Sequence, residues 1–528
     1  MTDSVRDQDR EVRDTDRQVR ESYERVPYPS ASHYETHPDQ LAARAILHGL
    51  DPAPPERCRV LELGCADGGN LIPMAFELPD SRFTGIDLSP SQIEAGRAQA
   101  ADLGLTNLDL RAVSILDLDA SIGTFDYVLC HGVFSWVTPP VQEQILEICR
   151  TALAPQGVAF ISYNTLPGWH MRRMLREMLL YHVRGVEDVT ERTRRTFELI
   201  DLLAGASSGL QDEHSIFLRS AREHLEEYRD RPSYIAHEYL EETNAPLYFE
   251  DFVSGAAAHG LQYLGEAETN ARGIDTLPDS VAAQLRTFTT DPVSLEQYVD
   301  FAVNRTFRRS LLGHAGVPLE TAILPARMKR LAAASPTKPL SREPDLRPGV
   351  SETFTTQRGK TFASSHPLAK GVLAALANVW PRALPFAELQ AAASFPDDAA
   401  LTDLLASLHQ ADVISLHALP PRCTEVVSAR PAVTALARRQ AAAGLLVTNQ
   451  HRRVVKLDDP MVHFLLQQLD GTRDRADLLR LLDREVTTGR LDVSVDNRVP
   501  DARRIPAVLQ AVLEHHLKRM AEYALLVA

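Results

Sequence analysis

Between residues 57 and 165, short apolar runs alternate with longer stretches in which apolar residues recur every three or four positions. The runs CRVLEL (58–63), RFTGIDL (82–88), LDLRAV (108–113), FDYVLC (125–130) and VAFISY (158–163) have the length and the β-branched or aromatic content of buried strands. Helical patterns separate them. In SPSQIEAGRAQAADLG, Ser89 stands three residues before Gln92 as a capping box, and Pro90 suits the first helical turn. PPVQEQILEICRTALA (139–154) places Val141, Ile145, Ile148 and Ala152 on one face. Strand and helix in this alternation predict an α/β fold with a doubly wound, Rossmann-like parallel sheet.

Past the fifth strand the period stays helical, so residues 166–230 read as a helical insertion. EDFVSGAAAHGLQYLGEAE (250–268) then reads as helix, glycine turn and strand, which closes the sheet. One α/β domain thus comprises 23–165 and 231–270, followed by a region of helical period over 271–335. Four prolines and few apolar residues in the next stretch predict a linker over 336–362. Helices followed by a strand suggest a winged-helix-like domain over 363–427, ahead of a C-terminal region, 428–528. Residues 1–22 mix both signs of charge with few apolar anchors, the pattern of a flexible, solvated arm.

Composition narrows the function classes. A chain of 528 residues suggests about three domains. No apolar run approaches the ~18 residues of a membrane span, and the opening residues lack the signal-peptide pattern, so a soluble, cytoplasmic protein with no membrane partner is expected. Five cysteines without a CxxC pair read as reduced core residues, and no metal site is expected. A formal charge of −15 argues against nucleic acid, whose phosphates attract basic surfaces. Residues 363–427 repeat that bias, with three basic side chains against six acidic ones.

The chemistry gathers where the first strand turns into its helix. VLELGCADGGN (60–70) crowds Gly64, Gly68 and Gly69 into that turn, where backbone can approach a ligand and a helix start offers free N–H groups. Dinucleotide sites use G-x-G-x-x-G there to seat a pyrophosphate. Here the acidic Glu62 precedes the turn. Its carboxylate would repel pyrophosphate and suits the ammonium of an amino-acid moiety. Asp87 ends the second strand, where α/β nucleotide sites hold an acid for the ribose hydroxyls. Glu62, the glycines and Asp87, in this order and spacing, point to S-adenosylmethionine. After the third strand Ser114 is expected to meet the adenine through its hydroxyl and Ile115 through its N–H. Asn70, Leu88 and Gln92 flank these positions and join the expected cofactor set, as does His131.

VLELGCADGGNLIPMA, GIDLSPSQIEAG, FDYVLCHGVFSWV, SYNTLPGWHMRRML and EQYVDFAVNRTFRRSLL resemble bacterial class I methyltransferases that carry a methyltransferase regulatory domain. The likeness runs from about Tyr23 to near the C-terminus and includes VTNQHRRVVKLDDP and LDGTRDR. It implies that Glu62, Gly64, Ala66, Gly68 and Asp87 line the cofactor and that 271–335 is the regulatory region. Where relatives usually place Asp after the third strand, this chain has Ser114. Some relatives are protein-lysine methyltransferases acting on outer-membrane proteins, so the resemblance implies a protein partner offering lysine side chains. A homodimer is compatible with it.

The acceptor is expected beyond the ends of the fourth and fifth strands, at HGVFSWV (131–137) and YNTLPGW (163–169). Trp136, Phe134 and Trp169 are candidates for an aromatic wall. His131 and Tyr163 are first choices for handling a proton, with His170, Tyr28 and Glu238 behind them. Two alternatives stay open: a small-molecule N- or O-methyltransferase, and a noncatalytic regulatory protein that binds the cofactor. The large share of chain outside the α/β domain favours a macromolecular acceptor.

Overall fold

A computed structural model of the chain describes residues 13–14, 16–17, 19–27, 30–268, 273–320, 323–356, 359–394, 397–492 and 504–527. Its centre is a seven-stranded sheet ordered β3-β2-β1-β4-β5-β7-β6. The strands are β1 (Arg59–Leu63), β2 (Arg82–Asp87), β3 (Leu108–Ala112), β4 (Phe125–Cys130), β5 (Leu153–Asn164), β6 (Leu261–Glu266) and β7 (Phe307–His314). β1 to β5 are parallel, whereas β7 runs antiparallel between β5 and β6. Both faces are covered. Leu61 and Leu63 enter one apolar layer with Val128 and Ile145, while Val60 enters the other with Phe83 and Tyr127, as alternation along a doubly buried strand requires. Val141, Ile145, Ile148 and Ala152 all lie on the buried side of the helix Pro139–Ala152. Ser89 Oγ accepts the Gln92 N–H at 3.2 Å, capping the helix Pro90–Asp102.

Strand β7 lies in the 271–335 region that its period suggests is wholly helical. Arg308 interrupts the apolar alternation of this strand, yet its side chain is fully buried. Asp300, Glu266 and Glu296 take its N–H groups at 2.7 to 3.0 Å, and its guanidinium lies 3.9 Å from the centre of the Phe249 ring. These charged partners come from other elements, so a single segment's pattern carries no trace of them. The stretch 166–230, read as a helical insertion, holds the helices Trp169–His182, Val189–Ala206 and Glu213–Glu226. It shares a separate core with the helix Pro232–Tyr239, centred on Leu179, Ile200, Leu225 and Ile235.

The stretch 336–362 is more ordered than a linker. Lys338–Pro339, Glu352–Thr355 and Thr361–Ser364 pair antiparallel, and Phe354 between them is wholly buried. The buried Lys370 ammonium folds the intervening loop back by donating to the carbonyls of Asp345, Arg347 and Val350, each at 2.7 Å. Three helices and short strands follow over 363–427, with core residues Leu373 and Leu401 packed in one cluster with Ala43, Ile46 and Leu47 of the helix Pro38–Leu47. Arg452, from the C-terminal region, reaches into the α/β domain. Its guanidinium bonds Glu77 at 2.7 Å and Asp39 at 2.5 Å, and His417 meets the same Asp39 at 2.8 Å.

Residues 1–12 and Tyr28 lie outside the described residues. Of the expected arm, the described residues 13–14, 16–17 and 19–22 are helical, and Asp16, Val19 and Arg20 line a cavity at the carboxyl ends of the strands.

Candidate active site

A cavity of about 470 Å³ opens outside the carboxyl ends of β1, β2 and β4, where the strand order reverses, the place at which doubly wound sheets bind ligands. Of the residues singled out in the sequence, Glu62, Gly64, Ala66, Asn70, Asp87, Leu88, Ile115, His131 and Trp136 line it. Gly68, Gln92, Ser114, Tyr163 and Trp169 are not among its lining residues.

The Gly64 turn is shaped by its backbone. Gly64 has φ +76°, and a Cβ there would meet Val133 Cγ2 at 2.3 Å, so only glycine lets β1 pass so close to the β4 tip. Two residues on, Ala66 is also left-handed at φ +50°. Asp87 holds this conformation, its Oδ2 accepting the Ala66 N–H at 2.8 Å and its Oδ1 the Ser89 N–H at 2.9 Å. Burial raises the Asp87 carboxyl above its usual range, and the backbone N–H groups of Ser89 and Ala66 counter that shift. Glu62 is 3% exposed. Its Oε1 accepts from Asn70 Nδ2 at 2.7 Å, while its buried Oε2 has no partner. Burial pushes the Glu62 carboxyl up to about 7, against the lowering effect of Asn70. Asn70 is itself held by the His33 N–H and Thr36, so it orients Glu62.

On the far side of the cavity the sheet contributes His131 and Asn164. Gly132 N–H donates to Ser162 Oγ at 2.8 Å, and that hydroxyl meets His131 Nδ1 at 3.0 Å. The ring of His33, which sequence reasoning missed, packs 3.9 Å from His131. Burial first, then the charges of His33 and Arg309, hold His131 well below the usual histidine range. Asn164 lines the cavity with its Nδ2 buried and unpartnered. Trp136, Tyr234, Arg172, His237 and Glu238 also line the cavity, and Phe307 does so beside Asn164, its partner across the sheet. Arg172 meets Glu238 at 3.3 Å, and burial raises the Glu238 carboxyl above its usual range.

Of the three expected wall aromatics, only Trp136 lines the cavity. Trp169 braces Trp136 from behind at 5.9 Å, edge to face. Phe134 is core, and Tyr163 packs between it and Phe252 on the opposite side of β5, its hydroxyl bonding Ser310 at 3.1 Å. Alternation explains this: Ser162 and Asn164 share the cavity face, which turns Tyr163 away. His170 is exposed and its Nε2 lies 3.4 Å from the Tyr248 hydroxyl. Gln92 is buried beneath the cap, and the Ser114 hydroxyl donates to Asp16 Oδ2 at 2.6 Å.

Comparison with known proteins agrees with this geometry. Family models match a "methyltransferase domain" over residues 61–159, a "predicted methyltransferase regulatory domain" over 231–314 and a "PKMT, C-terminal winged helix domain" over 429–525. The regulatory match includes β6 and β7, so that region completes the catalytic sheet. The winged-helix match begins beyond 363–427, the segment in which the sequence pattern suggests such a module. An uncharacterized protein of Rickettsia prowazekii is 30% identical over 522 residues, covering 96% of this chain and 93% of that protein. PKMT2 from Rickettsia typhi, solved in complex with AdoHcy, matches with a TM-score of 0.85 and 30% identity over 95% of this chain and 100% of that one.

The chain belongs to the PKMT family of class I methyltransferases.

The cofactor of this methyltransferase is S-adenosylmethionine, and its own residues fit that ligand. The unpartnered Glu62 Oε2 matches an ammonium, the Asp87 carboxylate retains lone pairs for ribose hydroxyls, and Leu88, Val113 and Ile115 provide an apolar slot for a base. Among the described residues, no helix of the methyltransferase is long and apolar enough to cross a membrane. His33, Asn164, Tyr234 and His237 carried no local motif that would have marked them. The exception is the arm, where Asp16, Val19, Arg20 and Tyr23 line the cavity at the i, i+3, i+4, i+7 spacing of one helical face.

Proposed function

We propose that this methyltransferase transfers a methyl group to the ε-amino nitrogen of lysine side chains on a protein acceptor. The observation that carries this reading is the Glu238 carboxylate, which lines the same cavity as Glu62 and Asp87 together with the aromatic residues Trp136, Tyr234 and Phe307. Aromatic faces and one carboxylate together suit a long aliphatic side chain ending in a cation. The winged-helix model named for PKMT and the solved PKMT2 relative support a protein acceptor.

When bound, S-adenosylmethionine supplies an electrophilic methyl group on a cationic sulfur. The chain's residues must then deliver a neutral amine. A lysine of pKa about 10.4 is neutral about once in 2,500 at pH 7, a cost of roughly 4.6 kcal/mol. A pocket with largely apolar walls lowers that cost by disfavouring the ammonium. We assign Glu238 to attract the ammonium and take its proton, consistent with the upward shift of its carboxyl. Asn164 lines the same cavity. His131 contributes a neutral ring as cavity wall. The experiment is tritium transfer from labelled cofactor into cell lysate, fractionated by size, with modified residues identified by mass spectrometry. Label on lysines of macromolecules is expected. Counts confined to low-mass species would overturn the reading in favour of a small-molecule acceptor.

A further inference from the structure

The arm crosses the cavity and is anchored along its length. Arg13 pairs with Asp117 at 3.3 Å, just beyond β3. Glu24 Oε1 accepts from Ser89 Oγ at 2.6 Å and from the Ser91 N–H at 3.2 Å, at the start of the helix that follows β2. Ser22 donates to Glu241 at 2.8 Å, and the Tyr23 ring stacks on His237 with centroids 4.6 Å apart. Between these anchors, Asp16 reaches the β3 end of the cavity, whose other walls there are Val113, Ile115 and Leu88. The Ser114 hydroxyl expected at the adenine is committed to Asp16 Oδ2 at 2.6 Å.

An apolar slot gains burial from any purine and cannot tell one from another. Discrimination between a 6-amino and a 6-oxo purine needs a polar partner at that edge. An ionised carboxylate only accepts, with about four lone-pair sites, so one bond from Ser114 leaves capacity for an amine. We propose that Asp16 recognises the exocyclic amine of the cofactor's adenine, so that the N-terminal arm completes the base-recognition side of the site. Ser114 is then a positioning residue, holding the carboxylate at the slot. The proposal rests on the assignment of this cavity to S-adenosylmethionine.

Isothermal titration of the full-length chain with S-adenosylhomocysteine and with its hypoxanthine analogue, S-inosylhomocysteine, tests it without any turnover. The wild-type chain is expected to prefer the adenine ligand by tenfold or more. Asp16→Ala should lose most of that preference by weakening the adenine ligand. Asp16→Asn, whose amide can accept from an amine or donate to a carbonyl, should bind both within a few fold. Ser114→Ala should fall between wild type and Asp16→Ala. An unchanged preference in Asp16→Ala, or an equal loss for both ligands, overturns the proposal while the cofactor assignment stands. Failure of the wild-type chain to bind S-adenosylhomocysteine overturns both.

Discussion

The two halves of the cavity are assembled in different ways. The half we assign to the cofactor is lined by Glu62, Gly64, Cys65, Ala66 and Asn70, by Ile86, Asp87 and Leu88, and by Val113 and Ile115, from three short segments at three adjacent strand tips. The half we assign to the acceptor draws on Trp136, Asn164, Arg172, Tyr234, Glu238 and Phe307, which come from the stretch after β4, the end of β5, one insertion helix, the helix Pro232–Tyr239 and the first residue of β7. A local motif suffices for the first because backbone and a few acids bind a constant ligand. The second exists only once the insertion and the antiparallel strands have packed. The halves should therefore be separable by mutation.

The largest effect is expected at Asp87. Asp87→Ala removes a carboxylate aimed at ribose hydroxyls, and losing two charge-assisted hydrogen bonds costs about 100-fold or more in affinity. It also leaves the Ala66 and Ser89 N–H groups without their acceptor, so unfolding free energy should fall by about 1–3 kcal/mol. Calorimetry with S-adenosylhomocysteine and urea denaturation measure the two. Unchanged affinity would remove the ribose from this position.

Glu238→Gln is the complementary cut. Affinity for S-adenosylhomocysteine should stay within about twofold, while kcat/KM for a protein acceptor falls by about 100-fold. Arg172 loses its ionic partner, so the same variant should be checked for an unchanged Tm. If cofactor affinity fell in step with kcat/KM, the halves would not be separable.

This division also explains what could be read in the sequence. The five parallel strands and the Ser89 cap depend on short-range patterns, and the structure places both as those patterns suggest, while Glu62, Gly64 and Asp87, singled out by the same kind of pattern, line one cavity. What escaped depends on partners distant in the chain. Arg308 hides β7 because its charge is neutralised by Glu266, Glu296 and Asp300. The arm reads as solvated because its few apolar positions face a cavity that the rest of the chain builds. Arg452 and Asp39, 413 residues apart, form a buried pair that no local pattern announces. That pair, together with the shared cluster around Leu47 and Leu373, makes a chain cut near residue 335 a poor test of the C-terminal regions, since it would expose an apolar helix face and strip Asp39 of Arg452 and His417.

A smaller, graded effect is expected from pH. The Glu62 carboxyl, raised by burial to about 7, is half protonated near neutrality in the free protein. An ammonium favours the ionised form, so binding releases a proton where the free protein is protonated. Affinity should therefore be full above pH 8 and fall by up to about tenfold per unit as pH drops below 7. Titrations at pH 6.5 in buffers of different ionisation heat should report that released proton. Glu62→Gln should abolish the release and flatten the pH slope. A wild-type affinity independent of pH between 6 and 8 would mean that Glu62 does not meet the ammonium.

The smallest effect on binding is expected at Gly68, which the motif alone assigns to the cofactor. Gly68 has φ +75°, and a Cβ there would meet Leu110 Cδ1 at 3.3 Å and Ile72 Cγ1 at 3.5 Å. Those neighbours belong to the packing beneath the turn, since neither lines the cavity. Gly68→Ala should lower unfolding free energy by about 1–2 kcal/mol through the left-handed backbone and leave S-adenosylhomocysteine affinity within about threefold. Gly64→Ala provides the contrast, because its Cβ would drive Val133, a cavity wall, out of place. There affinity should fall along with stability. A tenfold loss of affinity in Gly68→Ala would return that glycine to the cofactor surface, whereas equal behaviour of the two variants would show that the turn responds as a unit and that side-chain direction at each glycine decides nothing.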